Sequence, residues 1–273
     1  MQRVHIGRIG GALLAIGIVV AATNPEAVSL MAMDAGKPAR DRTPGINEIK
    51  VDIVGAGLGT ILGGHRATWF PVMPVGAHAP RMAMKCSFDA ARGRRICQSR
   101  HGSDSAAMVR AVAYRSDVGA AQSLFDESST DTVTVQAAFI NSTTDSAARP
   151  MTQTLRSMHR FAGTSDRSES RMLNGADTVL TTRQWSKAVR SETQKVVTYS
   201  EVSMSNDRSA RFPASGMVQV SSASTNHNRR GTADHFSSMT VYFDGTGTPE
   251  AYINGIRYRL NLESGIATPL NGD

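Results

Sequence analysis

Short stretches rich in Val, Thr, Tyr and Phe recur along most of this chain, separated by clusters of Gly, Asn, Asp and Ser, and in the last of them apolar and polar positions alternate. A period of two is the mark of half-buried β-strands. Strands are predicted over 46–54, 67–75, 82–88, 96–99, 108–114, 130–140, 178–186, 195–204, 217–222, 237–243 and 250–262. With strand following strand, the fold class is mainly β: an antiparallel sheet, sandwich or open curved barrel rather than βαβ units.

The C-terminal end is the most legible. Asn254-Gly255, between Ala251-Tyr252-Ile253 and Ile256-Arg257-Tyr258, is the pair that most readily takes the two positive φ angles of a type I′ hairpin turn. In the strand that follows, Ile256, Tyr258, Leu260 and Leu262 alternate with Arg257, Arg259 and Asn261, which places an apolar row on one face and a polar row on the other. One short covering helix is predicted over 117–127, where Val118, Ala121, Leu124 and Phe125 fall at helical spacing and Ser116 or Asp117 offers an N-cap. The stretch 141–150 has no period and reads as a loop.

The first residues follow another rule. Arg3, His5 and Arg8 precede an uncharged run from Ile9 to Ala22, the layout of a signal peptide. That run is shorter than the roughly 20 apolar residues of a permanent span. Val20 and Ala22 suit the −3 and −1 positions, so cleavage is predicted after Ala22; an uncleaved anchor is the competing reading. The expected organisation is a signal peptide over 1–22, a disordered lead-in over 23–44 and one β-rich domain over 45–273, periplasmic or secreted, with no transmembrane span in the mature chain.

Composition narrows the partners. The formal charge is +7, and losing Arg3 and Arg8 with the leader lowers it to +5. Arginines are scattered among Ser and Asp, and aromatics are only 5%, without the basic and stacking face of a nucleic-acid protein. The densest basic cluster, Arg92, Arg94 and Arg95 around Gly93, is a candidate contact for an anionic surface. An anionic envelope polymer or lipid is therefore the partner class that charge alone supports.

Cys86 and Cys97 are the only cysteines, and in an oxidising compartment they are read as a disulfide across a hairpin. A metal site would have to recruit His78 and His101, but no Cys-x-x-Cys or His-x-x-x-His spacing supports it. Gly55-Ala56-Gly57-Leu58-Gly59-Thr60 approaches a dinucleotide fingerprint, yet Thr60 stands where the third glycine belongs and no βαβ unit follows. No Gly-x-Ser-x-Gly elbow is present. His227 and His235 bracket Asp234 in a polar segment read as a strand edge rather than a triad, and Asp126-Glu127 as a solvated pair. Trp69 and Trp185 are read as core or sheet-rim aromatics, and Asn141-Ser142-Thr143 is a glycosylation sequon. No catalytic residue, cofactor or metal is predicted.

The Cys86-to-Cys97 hairpin, Tyr114 with the Ala120-to-Asp126 stretch, the Thr130-to-Val135 strand and the end from Met239 to Gly255 resemble a set of exported, Ser/Thr/Arg-rich β proteins of environmental bacteria. The resemblance implies fold and compartment, and no activity comes with it. The function expected is that of a non-enzymatic cell-envelope protein, binding or structural. The alternatives are a carrier of a hydrophobic ligand or lipid in a lipocalin-like or lipoprotein-carrier-like half-barrel, and a hydrolase without a recognisable motif.

Overall fold

A computed structural model describes residues 49–51, 85–100, 106–144, 150–186, 189–207, 210–229 and 231–270. The leader, the lead-in, the glycine-rich stretch 55–60, His78, His101 and Trp69 lie outside the described residues.

Among the described residues fourteen strands form: β1 (Ile49–Lys50), β2 (Lys85–Asp89), β3 (Arg94–Arg100), β4 (Ala106–Ser116), β5 (Ala121–Gln122), β6 (Thr130–Thr144), β7 (Pro150–Ala162), β8 (Ser170–Ser186), β9 (Val189–Ser205), β10 (Ser215–Asn228), β11 (Gly231–Tyr242), β12 (Glu250–Ile253), β13 (Ile256–Leu260) and β14 (Ile266–Pro269). All belong to one antiparallel sheet that does not close into a barrel. Its order is β1-β14-β13-β12-β11-β10-β9-β8-β7-β6-β4-β3-β2, with β5 beside β4. From β6 to β14 every strand lies next to its neighbour in sequence, so the sheet is a meander. β8 and β9 are each 17 residues long, against a usual strand of about 5 or 6.

The alternation divides the sheet into a buried face and a wet one. Along β7, Met151, Gln153, Leu155, Ser157 and His159 are buried, whereas Thr152, Arg156, Met158 and Arg160 are exposed. The ladder registers carry the buried face across the molecule: one transverse row runs Val112, Val135, His159, Gly175, Tyr199, Val218, Val241, Ala251, Tyr258. Its apolar members fall in two core clusters, one from β8 to β14 with Val51 and the other in β4 and β6. The C-terminal hairpin is as expected, with Asn254 at φ 49° and Gly255 at φ 83°. Tyr258, Leu260 and Leu262 are buried; Ile256, beside the turn, is exposed.

The ladders shift register at several points, and at one of them a bulge in β9 interrupts two ladders at once. Opposite both Leu173–Gly175 and Ser215–Met217, β9 carries an extra residue, and Glu201 there takes a φ of 50°. Asn174 Oδ1 accepts the Glu201 N–H at 2.9 Å, and Gly216 fits beneath because a Cβ there would lie 2.4 Å from the Glu201 carbonyl oxygen.

The expected helix over 117–127 does not form, and no helix occurs among the described residues. Ser116 accepts the Gly119 N–H and donates its own to Ala120, a tight turn closed by Gly119 at φ 79°. Ala121–Gln122 then pairs with β4 as β5. Two of the four residues at helical spacing have no core to cover: Val118 is 84% and Leu124 62% exposed. Phe125 alone packs inward, 6.0 Å from the Tyr114 ring. The hydroxyl and carboxylate of Ser116 and Asp117 serve the turn instead of a helix start. The loop expected over 141–150 is also shorter, because β6 continues to Thr144 and β7 starts at Pro150. Asn141 and Ser142 of the sequon therefore lie within a strand.

Candidate functional site

Two arrangements on this sheet are chemically distinctive, one on each face. On the buried face Ser157 and His159 of β7, Asp177 of β8 and Tyr199 of β9 meet, brought together by the registers Ser157↔Asp177 and Gly175↔Tyr199. The Ser157 hydroxyl donates to Asp177 Oδ1 and the Tyr199 hydroxyl to Oδ2 at 2.9 Å. His159 Nε2 lies 3.1 Å from Oδ1 without the alignment of a directed hydrogen bond. The imidazole sets its edge against the Tyr199 ring at 5.3 Å. Burial pushes the Asp177 carboxyl up, but attraction to His159 and the hydroxyls of Ser157 and Tyr199 outweigh it and hold the carboxyl below its ordinary range.

Ser, His and Asp together invite comparison with a nucleophilic triad, and the order is wrong for one. A triad sets imidazole between hydroxyl and carboxylate so that the imidazole takes the hydroxyl proton. Here the carboxylate is in the middle and both hydroxyls donate to it. A carboxylate held in its charged form is a poor base, so the cluster ties three strands together across the core. Further along β7, Gln153 is fully buried with neither amide atom hydrogen-bonded.

Much of the charge stands on the wet face. Lys85, Arg94, Arg115, Arg156, Arg160, Arg190, Arg257 and Arg259 stand there by strand alternation, against Asp89, Glu192, Asp234 and Glu250. Two of those four carboxylates already have arginine partners: Asp89 pairs with Arg92 at 2.8 Å and Glu250 with Arg257 at 2.5 Å. Those arginines hold both carboxyls below their ordinary values.

The structure separates the three arginines singled out in the sequence. Arg92 sits in the β2–β3 turn on Asp89, Arg94 stands opposite Asp89 on the wet face, and Arg95 stands opposite Phe88 and Val112 on the other face. Cys86 and Cys97 are directly paired across β2 and β3 and form the disulfide, with Cα atoms 4.0 Å apart. His227, Asp234 and His235 lie along the β10–β11 hairpin with separate partners: His227 Nδ1 is 3.1 Å from Thr232 Oγ1, and Asp234 accepts the Thr225 hydroxyl. Asp126 caps its own turn through Ser128, and Trp185 is 40% exposed near the end of β8. No group of His, Cys, Asp and Glu suited to a metal ion occurs among the described residues.

Sequence reasoning missed the buried polar cluster, because neither β7 nor the first half of β8 was predicted as a strand. The one available signal was Met151-x-Gln153-x-Leu155-x-Ser157-x-His159-x-Phe161, a period of two blurred by its polar members. No protein-family model, no curated protein and no solved structure matches this chain, so the role of each residue rests on the geometry above.

Proposed function

We propose that this chain is an exported, non-enzymatic cell-envelope protein that adheres to anionic envelope surfaces through the wet face of its sheet. The observation that carries the reading is the imbalance on that face, eight basic side chains against four carboxylates among the described residues. Charge of one sign spread over a broad, solvated sheet acts together on a polyanion, and its effect falls as salt screens it. The Cys86–Cys97 disulfide fits an oxidising compartment outside the cytoplasm. Among the described residues no helix is long and apolar enough to cross a membrane.

Two features favour this reading over its rivals. A carrier of a hydrophobic ligand needs an open apolar cavity of roughly 300 Å³ or more, whereas the side chains of the buried face, from Cys97 and Val135 through Tyr199 to Leu260, are almost wholly covered. A hydrolase needs a base within reach of its nucleophile, whereas Ser157 turns its hydroxyl to a carboxylate. The test is retention of the purified chain on an anionic matrix and on a neutral one of the same polymer. Binding to the anionic matrix alone, lost steadily with added salt, is expected; equal retention on both would refute the reading.

A further inference from the structure

Aromatic residues are only 5% of this chain, yet three of them stand exposed on the wet face of two adjacent strands. Phe236 and Tyr242 share the wet side of β11, since alternation returns a side chain to the same face at every second residue. Tyr252 of β12 stands on that side opposite Thr240. Phe236 is the most open of the three, at 67%. Tyr242 and Tyr252 meet edge to face with ring centroids 6.0 Å apart, and Phe236 lies about 20 Å from Tyr242 along the strand. The side chains between them are hydroxyls and an amide: Ser238 and Thr240 on β11, with Ser221 and Gln219 opposite on β10. On the wet side of β11 to β13 the charges balance, Arg257 and Arg259 against Asp234 and Glu250. Glu250 pairs with Arg257 at 2.5 Å, and Asp234 accepts the Thr225 hydroxyl.

We infer that this strip is a track for a polysaccharide, and that the anionic surface this protein meets is a polymer of acidic sugars. Sugar rings stack on Phe236, Tyr242 and Tyr252, while basic side chains outside the strip take the acid groups. The inference rests on the adhesion reading and names its partner. Large rings left in water forfeit the burial that makes aromatics valuable in a core. Because the strip is electrically balanced, what it adds to the face is not charge. A sugar ring has an apolar C–H face and a rim of hydroxyls, so it covers the aromatics and hydrogen-bonds to the serine, threonine and glutamine side chains among them. A bilayer or an apolar protein surface would also cover the rings, but it would strip those polar groups of water and replace none of their hydrogen bonds. A polyanion without sugar rings would answer the basic side chains and leave the aromatics bare.

The test is the dissociation constant of the purified chain, its N-terminus read by intact mass, for two soluble polycarboxylates at fixed low salt. Polygalacturonate carries its acid groups on sugar rings, and polyglutamate carries them without. The variants are Tyr242→Ser/Tyr252→Ser and Phe236→Ser, all at exposed positions, with urea midpoints as the folding control. Wild type is expected to bind polygalacturonate at least roughly ten-fold more tightly than polyglutamate. The double tyrosine variant is expected to lose that preference and Phe236→Ser to lose part of it, both with polyglutamate binding unchanged. Equal affinity for the two polymers, or a preference that neither variant moves, would overturn the polysaccharide inference and leave the adhesion reading standing. Tighter binding to phosphatidylglycerol vesicles than to either polymer would overturn it in the same way. Failure to bind any of these anionic probes at low salt would overturn both.

Discussion

Gly175 faces His159 across the β7–β8 ladder, and the imidazole occupies the space that a side chain on Gly175 would fill. A Cβ there would stand 2.7 Å from His159 Cδ2 and 2.2 Å from the Met158 carbonyl oxygen, with φ at 156°. Neither neighbour yields readily, since one is backbone and the other a buried ring. Gly175→Ala is expected to cost about 2 to 4 kcal/mol, from overpacking and backbone strain together. A urea midpoint unchanged from wild type would show that the ring is free to move aside.

Asp177 sets how stability depends on pH. Its folded pKa lies below the ordinary carboxylate value, so its contribution is full above about pH 4, where the unfolded carboxyl titrates, and is lost as pH falls through the folded value. Asp177→Asn is expected to lower stability at neutral pH by about 1 to 3 kcal/mol, as Ser157 and Tyr199 lose a charged acceptor. It is also expected to flatten the fall in stability below pH 4. Urea titrations from pH 2 to 7, values chosen to bracket roughly that range, would expose an error if wild type and variant lose stability in parallel.

Gln153 makes the opposite case, a buried amide with no hydrogen-bond partner. Gln153→Leu removes a desolvated polar group at similar volume and is expected to raise stability by about 1 kcal/mol or more. A thermal melt showing a clear loss instead would mean that the amide is satisfied in solution.

The disulfide holds an edge strand. Four of the five β2 residues are exposed and among the described residues its only strand partner is β3, so the Cys86–Cys97 bridge and that ladder fasten it. Reduction is expected to cost roughly 3 kcal/mol or less and to speed amide exchange in β2 while leaving β6 to β11 protected. Unchanged melting after reduction would argue against the bridge, as would two free thiols in the native protein.

Much of this fold is legible in the sequence, and the exceptions have physical causes. The β12–β13 hairpin could be read to the residue because Asn254-Gly255 fixes its turn and Tyr258 and Leu260 reach the core on schedule. β7 could not, because Gln153, Ser157 and His159 occupy core positions and read as polar until their partners on neighbouring strands are known. The false helix over 117–127 arose from spacing alone: Val118 and Leu124 match a helical face that nothing in the sheet is placed to cover. The basic face was hidden for a related reason. Its arginines are distant in sequence, and only the ladder registers gather Arg94, Arg156, Arg190 and Arg259 on one side, while separating Arg94 from its neighbour Arg95.

The most direct test of the basic wet face compares two triple variants of equal charge. Arg160→Gln, Arg190→Gln and Arg259→Gln remove three charges from the face; Arg92→Gln, Arg167→Gln and Arg211→Gln remove three from turns and loops off it. Dissociation constants on an anionic matrix at fixed low salt are the measurement. Loss of binding by at least roughly ten-fold in the first variant, with near wild-type binding in the second, is the predicted result. Equal losses in the two, or no loss in either, would contradict adhesion through this face.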